Sequence, residues 1–227
     1  MILCIADMLP AELLQEAQSI FARSQFADGK DTAGWHARQI KHNLQIIANQ
    51  PQAQALQQKI LSQIAAHSII ASAVLPKQFR PLLFSRYETG MSYDSHVDDA
   101  IMGRDANGAG AVRSDISFTL FLSPPDSYEG GELVIESTSG EQVFKLEAGQ
   151  AVIYPSTSLH RVCEVTRGIR DAAVGWAQSY VRDAGQREML FELDTVRRAI
   201  FRRDGKSPEF DRLSKVYSNL LRNWSEV

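Results

Sequence analysis

The hydrophobic period changes near residue 79, and that change constrains the fold more than any other feature of the chain. Before it, apolar residues recur at helical spacing; after it, they recur every second residue or in short runs bounded by Gly, Pro, Ser and Asp. Seven strands are expected, over 81–87, 114–122, 131–135, 142–146, 150–154, 160–165 and 169–180. Many short strands joined by Gly- and Pro-rich turns point to a sandwich or jelly roll and away from βαβ units. No strand, Gly-rich loop and helix occur together as a dinucleotide site would require.

Helices are expected on both sides of this β region. Pro10 opens the first, with Leu13, Leu14, Ala17, Ile20 and Phe21 on one face; Pro51 opens the second, with Leu56, Ile60, Ile64 and His67 on its apolar side. The stretches around Asp28-Gly29 and Ala33-Gly34 read as loop. After Asp183-Ala184-Gly185 the helical period returns in two blocks. Leu190, Leu193, Val196 and Ile200 mark the first; Phe210, Leu213, Val216, Tyr217, Leu220, Leu221 and Trp224 mark the second, with Ser207 as N-cap and Pro208 in the first turn. The expected layout is an N-terminal helical and strand segment integral to the fold (1–77), a jelly-roll domain (78–181) and a C-terminal helical appendage (182–227). The appendage either packs on the β domain or forms a homo-oligomer interface.

With 227 residues, 44% hydrophobic and 22% charged, the chain is long enough for one substantial core. A net charge of -3 gives no broad attraction to a phosphate backbone, so no nucleic-acid partner is expected. The cluster Arg197, Arg198, Arg202 and Arg203 reads as a solvated helix face. No apolar run approaches the ~20 residues needed to cross a bilayer, and the N-terminus lacks the basic lead of a signal peptide. Two cysteines, Cys4 and Cys163, give no disulfide framework. A cytoplasmic protein with reduced thiols is the expectation.

The chemistry concentrates in four positions. In an extended segment residues i and i+2 point to one side, so His96-Val97-Asp98 delivers an imidazole and a carboxylate to one ion. Asp94 and Asp99 lack that relation to His96. His160 opens a later strand, after the Ser156-Thr157-Ser158 turn, and completes a set of two imidazoles and one carboxylate. That set holds Fe(II) on one face and leaves the other open. Arg170 follows the Thr166-Arg167-Gly168 turn. A 2-oxo acid chelating the iron leaves a distal carboxylate that must be paired if buried, and Arg can give it two parallel hydrogen bonds. Arg167 belongs to the turn and Arg170 to the interior. Tyr87 either hydrogen-bonds the same carboxylate or packs in the barrel. Trp176 and Gln178 share strand parity with Arg170 and are candidates to line the substrate pocket. Glu129-Gly130-Gly131-Glu132 reads as turn and strand start, and His36, His42 and His67 receive no metal role.

With Tyr87-Glu-Thr-Gly-Met-Ser-Tyr-Asp-Ser-His96, Glu129-Gly-Gly-Glu-Leu133, Tyr154-Pro-Ser-Thr-Ser-Leu-His-Arg161 and Val165-Thr-Arg-Gly-Ile-Arg170, the chain resembles the Fe(II)/2-oxoglutarate dioxygenases. Within them it resembles the PKHD-type hydroxylases, named for their likeness to prolyl and lysyl hydroxylase catalytic domains. The resemblance spans nearly the whole chain. It implies a double-stranded β-helix (jelly-roll) core, mainly β with flanking α. It also implies Fe(II) at His96, Asp98 and His160, 2-oxoglutarate at Arg170, L-ascorbate as reductant, and O2 as a reactant. The implied reaction hydroxylates a small molecule or a protein side chain while 2-oxoglutarate becomes succinate and CO2. Asp98 fills the position that halide takes in related halogenases, which favours hydroxylation. Arg170 stands where animal prolyl hydroxylases often have Lys, and this departure loosens any inference about substrate. Three other classes stay open: a cupin-like metalloenzyme without 2-oxoglutarate, a metal-free jelly-roll binding module, and a nucleic-acid demethylase, the last disfavoured by the charge balance.

Overall fold

The computed structural model describes residues 1–103 and 110–227. Its large sheet runs in the order Leu3–Ile5, Ala151–Pro155, Ile116–Phe121, Val165–Ser179, Leu83–Glu88, Leu44–Ile46 and Phe26–Asp28, with Tyr128–Gly130 and Pro76–Phe79 also paired to Val165–Ser179. A smaller sheet follows the order Gly140–Phe144, Leu133–Ser137, His160–Val162, Ser92–His96 and Lys41–His42. Ile101–Met102 and Val112–Arg113 form a separate two-stranded ribbon.

Strand alternation sorts the large sheet's side chains into two interiors. On one face Phe84, Phe118, Leu120, Ile153, Ala173 and Ala177 pack against helices α1 (Ala11–Arg23), α2 (Pro51–Ala66) and α3 (Ser68–Ala73), which contribute Phe21, Leu56, Ile60, Ile64 and Ile70. On the other, Tyr87, Phe121, Val152, Tyr154 and Val165 meet Leu133, Ile135 and Val162 of the smaller sheet. The two sheets thus close a barrel between them, and the helices shield the outer face of one.

All seven expected strands are present, with ends shifted by a few residues. Several short strands were not legible. Ser92–His96, not among the seven, pairs with His160–Val162, and the 41–46 stretch joins both sheets, Lys41 opposite Tyr93 and Gln45 opposite Ser85. These segments are too short to display a period. His67 lies beyond the end of α2, where its Nδ1 accepts the Ile69 N–H at 3.3 Å as the N-cap of α3.

At the C-terminus, α4 (Ala184–Asp204) and α5 (Pro208–Trp224) form an antiparallel pair, with Ser207 Oγ capping the Phe210 N–H at 3.3 Å. The inward stripe of α4 differs from the apolar one expected. Arg187, Leu190 and Asp194 are buried, whereas Val196 is exposed. Buried Arg187 donates to the carbonyls of Val181 and Arg182, each at 2.8 Å, so a charged residue anchors the helix to the end of the barrel strand. Arg197 and Arg198 bind the Asp194 carboxylate, and Arg203 binds Asp204. Intrahelical pairing therefore accounts for most of the basic cluster. The chain end returns to the barrel, where Glu226 N donates to the Tyr180 carbonyl at 2.7 Å and its carboxylate meets Arg113 Nη1 at 2.6 Å.

Candidate metal centre and the cavity around it

His96 and His160 come together because their strands are antiparallel neighbours in which these two residues are direct partners, with ring centroids 4.3 Å apart. Asp98 follows two residues after His96 in extended chain, while the intervening Val97 is exposed. One donor atom from each of His96, Asp98 and His160 can be chosen so that all lie within 4.8 Å of one another. Asp94 and Asp99, both exposed, stand outside that cluster.

The hydrogen bonds around the triad fix its chemistry. His96 Nδ1 donates to the Asp94 carbonyl at 2.8 Å, and His160 Nδ1 donates to the Ser158 carbonyl at 3.0 Å. A carbonyl can only accept, so each Nδ1 carries a proton, and in the neutral ring this leaves the Nε2 lone pair for an ion. Asp98 Oδ2 accepts from Ser117 Oγ at 2.5 Å, and Ser117 contacts Ser156 Oγ at 2.7 Å. Sequence reasoning missed these two serines, although Ser117 lies in one strand already expected and Ser156 in the turn before His160. Tyr93 stacks on His96 with centroids 3.6 Å apart, holding the ring plane. Burial, reinforced by the neighbouring His160, pushes the His96 pKa down to about 4. A neutral imidazole is the form that ligates. Two neutral imidazoles and a carboxylate fit a ferrous ion with open positions.

Arg170 is the largest fully buried side chain, only 1% exposed. Its guanidinium lies over the Tyr87 ring at 5.2 Å and the Phe121 ring at 5.4 Å, with the buried Tyr128 phenol as its polar neighbour, and none of its three nitrogens makes a well-formed hydrogen bond. An unpaired buried guanidinium is costly, so this arrangement suits an anion that arrives from outside. Gly131 creates the space: with φ of 68°, it sits where a Cβ would come within 2.9 Å of Arg170 Cδ. The Glu129-Gly-Gly-Glu132 segment, where the Tyr128–Gly130 strand ends, therefore shapes the pocket. Arg167, by contrast, is exposed and pairs with Glu129 at 2.7 Å.

A cavity of about 530 Å³ takes in the triad, Arg170, Tyr87 and Trp176. Its size is that of a small-molecule site. Gln178 is not among the lining residues; its Oε1 accepts from the Arg113 N–H at 3.4 Å, toward the far end of the strand. Parity alone misplaced it, because the strand runs beyond the cavity. Tyr87 is buried, and its phenol pKa is raised by that burial against the opposing charge of Arg170. His36 lines the cavity mouth; it is outside the triad, as are His42 and His67.

Residues 82–178 match the family model of the 2OG-Fe(II) oxygenase superfamily, and residues 184–226 match that of the PKHD-type hydroxylase C-terminal domain. A PKHD-type hydroxylase of Rippkaea orientalis is 52% identical over 226 residues, covering 100% of both chains. Another from Acaryochloris marina is 49% identical over the same span and coverage. Among solved structures, a Pseudomonas putida prolyl-4-hydroxylase superposes with a TM-score of 0.54 at 21% identity, covering 78% of this chain and 92% of its own. HygX from Streptomyces hygroscopicus, solved with nickel and 2-oxoglutarate bound, gives 0.55 at 11% identity, covering 79% and 84%. The solved structures support the jelly-roll fold, and the full-length relatives support the family. With both family models matched in tandem and full-length relatives near half identity, the chain belongs to the PKHD-type hydroxylases of the 2OG-Fe(II) oxygenase superfamily.

Proposed function

We propose that the protein is an Fe(II)- and 2-oxoglutarate-dependent dioxygenase that hydroxylates a substrate bound in the barrel cavity. His96, Asp98 and His160 hold the iron, and Arg170 pairs with the distal carboxylate of 2-oxoglutarate. The observation that carries this reading is Arg170: a fully buried guanidinium with three unpartnered nitrogens, opening on the same cavity as the triad. A metal site that did not use a dicarboxylate would leave that charge without a purpose. Bound iron and 2-oxoglutarate would supply the oxidising power, with O2 consumed and succinate and CO2 formed as hydroxyl is delivered.

The chain's own work is placement. The Asp94 and Ser158 carbonyls keep each imidazole in the ligating tautomer, and Ser117 orients the Asp98 carboxylate. Tyr87 and Phe121 flank the guanidinium and shield its future ion pair from water. Trp176, from the strand that carries Arg170, forms part of the substrate wall. L-ascorbate serves as the reductant that returns oxidised iron to the ferrous state, and free Cys4 and Cys163 accord with a reducing cytoplasm.

The test is metal binding, 2-oxoglutarate binding and succinate formation in anaerobically loaded protein exposed to air, comparing the parent with His160→Ala and Arg170→Ala. His160→Ala is expected to weaken iron binding by more than the ~10–100-fold seen on losing an outer-shell partner. Arg170→Ala is expected to keep iron and to weaken 2-oxoglutarate about 100-fold, the worth of two charge-assisted hydrogen bonds. Unchanged 2-oxoglutarate affinity in Arg170→Ala would refute the assignment.

A further inference from the structure

The stretch Lys41-His-Asn-Leu-Gln-Ile46 buries its polar residues and leaves its apolar ones half-covered. Lys41, Asn43 and Gln45 are 6%, 3% and 6% exposed and line the cavity, whereas Leu44 and Ile46 are only half-buried. A segment that turns three alternate polar groups inward as it passes from one sheet to the other leaves them needing partners. Few are present. Lys41 Nζ donates to Thr32 Oγ1 at 3.0 Å, and the one proton of Thr32 Oγ1 is shared between two acceptors, Gln45 Oε1 at 2.8 Å and the Gly29 carbonyl at 3.0 Å. Gln45 Nε2 is left without a partner. Asn43 has the Tyr87 phenol as its polar neighbour, close enough to ease that phenol's ionisation, but neither amide atom makes a well-formed hydrogen bond. Its position requires Gly29, where a Cβ would fall 1.8 Å from Asn43 Oδ1. Among the described residues no carboxylate lies within salt-bridge range of Lys41 Nζ, although the Asp98 and Asp28 charges act on it.

We propose that Lys41, Gln45 and Asn43 form a second recognition wall, which takes a carboxylate of the molecule being hydroxylated. The substrate class is then a small free carboxylic acid, such as an amino acid with an unblocked carboxyl group. This assignment rests on the proposed function, because there 2-oxoglutarate has one carboxylate on iron and the other on Arg170. An ammonium and two amides rich in unused donors match a carboxylate better than a neutral amide. The 530 Å³ cavity holds such a molecule alongside the triad.

The experiment titrates Fe(II)- and 2-oxoglutarate-loaded protein, without O2, with free L-amino acids and with the matching carboxamides, following heat of binding. The parent is compared with Lys41→Met and Gln45→Leu. At least one acid is expected to bind about tenfold or more tightly than its amide, a preference of the size one charge-assisted contact supplies. Lys41→Met should bind acid and amide alike, Gln45→Leu should narrow the gap, and both should keep the parent affinity for 2-oxoglutarate within about twofold. The wall assignment is overturned if no acid is preferred over its amide, or if Lys41→Met loses 2-oxoglutarate as Arg170→Ala does. Failure of the parent to bind 2-oxoglutarate strikes the proposed function instead, and the acid and amide contrast is then read on protein loaded with Fe(II) alone.

Discussion

The Val165–Ser179 strand divides two interiors that differ in how complete they are. On its helix side, Ala173 and Ala177 meet an apolar cluster that includes Phe21, Leu56, Ile60 and Phe118. On its barrel side, Arg170, Asn43, Gln45 and Tyr128 hold buried polar atoms with no well-formed hydrogen bond. Among the described residues the one other such atom is Ser214 Oγ, in α5. The first interior is finished when the chain folds. On the proposed function the second is folded around groups whose partners are ligands, and it gives up stability to be ready for them.

The sharpest contrast should come from one substitution on each side. Phe21, 1% exposed and set edge-on to Phe84 at 5.3 Å, belongs to the finished interior. Phe21→Ala is expected to cost about 3–5 kcal/mol in urea unfolding of the metal-free protein, while the folded fraction keeps its affinity for iron. Arg170→Met removes an unpaired buried charge and should leave the metal-free protein as stable as the parent or more so. A loss in Arg170→Met comparable to that of Phe21→Ala would break the comparison, because the guanidinium would then be structurally satisfied.

Lys41 extends the same idea to pH. Burial pushes its pKa from 10.5 down to about 8 in spite of the opposing Asp98 and Asp28 charges. At pH 7 the amine is charged in both folded and unfolded chains, and folding bears the full cost of desolvating it. Between about 8 and 10.5 the unfolded chain holds the proton more tightly, so this cost is relieved as pH rises. In metal-free protein Lys41→Met should therefore exceed the parent at neutral pH by about 3–4 kcal/mol, since each tenfold loss of proton affinity on folding costs roughly 1.4 kcal/mol. The gap should close toward pH 10.5. A gap that stays constant from neutral pH to there would mean that Lys41 is already paired.

What could be read from sequence divides along the same line. Residues that spacing brings to one cavity were legible: His96 with Asp98 by their i, i+2 relation, His160 by its place at a strand start, Arg170 by its place after a turn. The long strands and four main helices were legible because each carries enough residues to show a period. Lys41-x-Asn43-x-Gln45 was not, since a polar alternation reads the same whether it faces water or a cavity. The inward stripe of α4 was missed for a related reason: Arg187 and Asp194 are buried by hydrogen bonds and ion pairs that apolar periodicity does not record. Gln178 was misplaced because parity gives the side of a strand and not how far the cavity extends along it.

The smallest expected effect concerns a residue that contributes only space. Gly131 has φ of 68°, and a Cβ there would approach Arg170 Cδ to 2.9 Å and Val165 Cγ2 to 3.0 Å. Gly131→Ala must accept a left-handed backbone and displace the guanidinium stem, together worth about 1–2 kcal/mol of stability. The larger consequence should be functional. Arg170 lies against its aromatic neighbours with little room to adjust, so a shift of its stem misaligns the fork that a carboxylate would meet. Weakening of 2-oxoglutarate binding by about tenfold, with iron affinity unchanged, is the expected result in equilibrium titration. Iron and 2-oxoglutarate falling together would instead show that the two parts of the cavity are mechanically one, since the Tyr128–Gly130 strand just before Gly131 is hydrogen-bonded to the strand that bears Arg170 and the triad lies on the opposite sheet and its following loop.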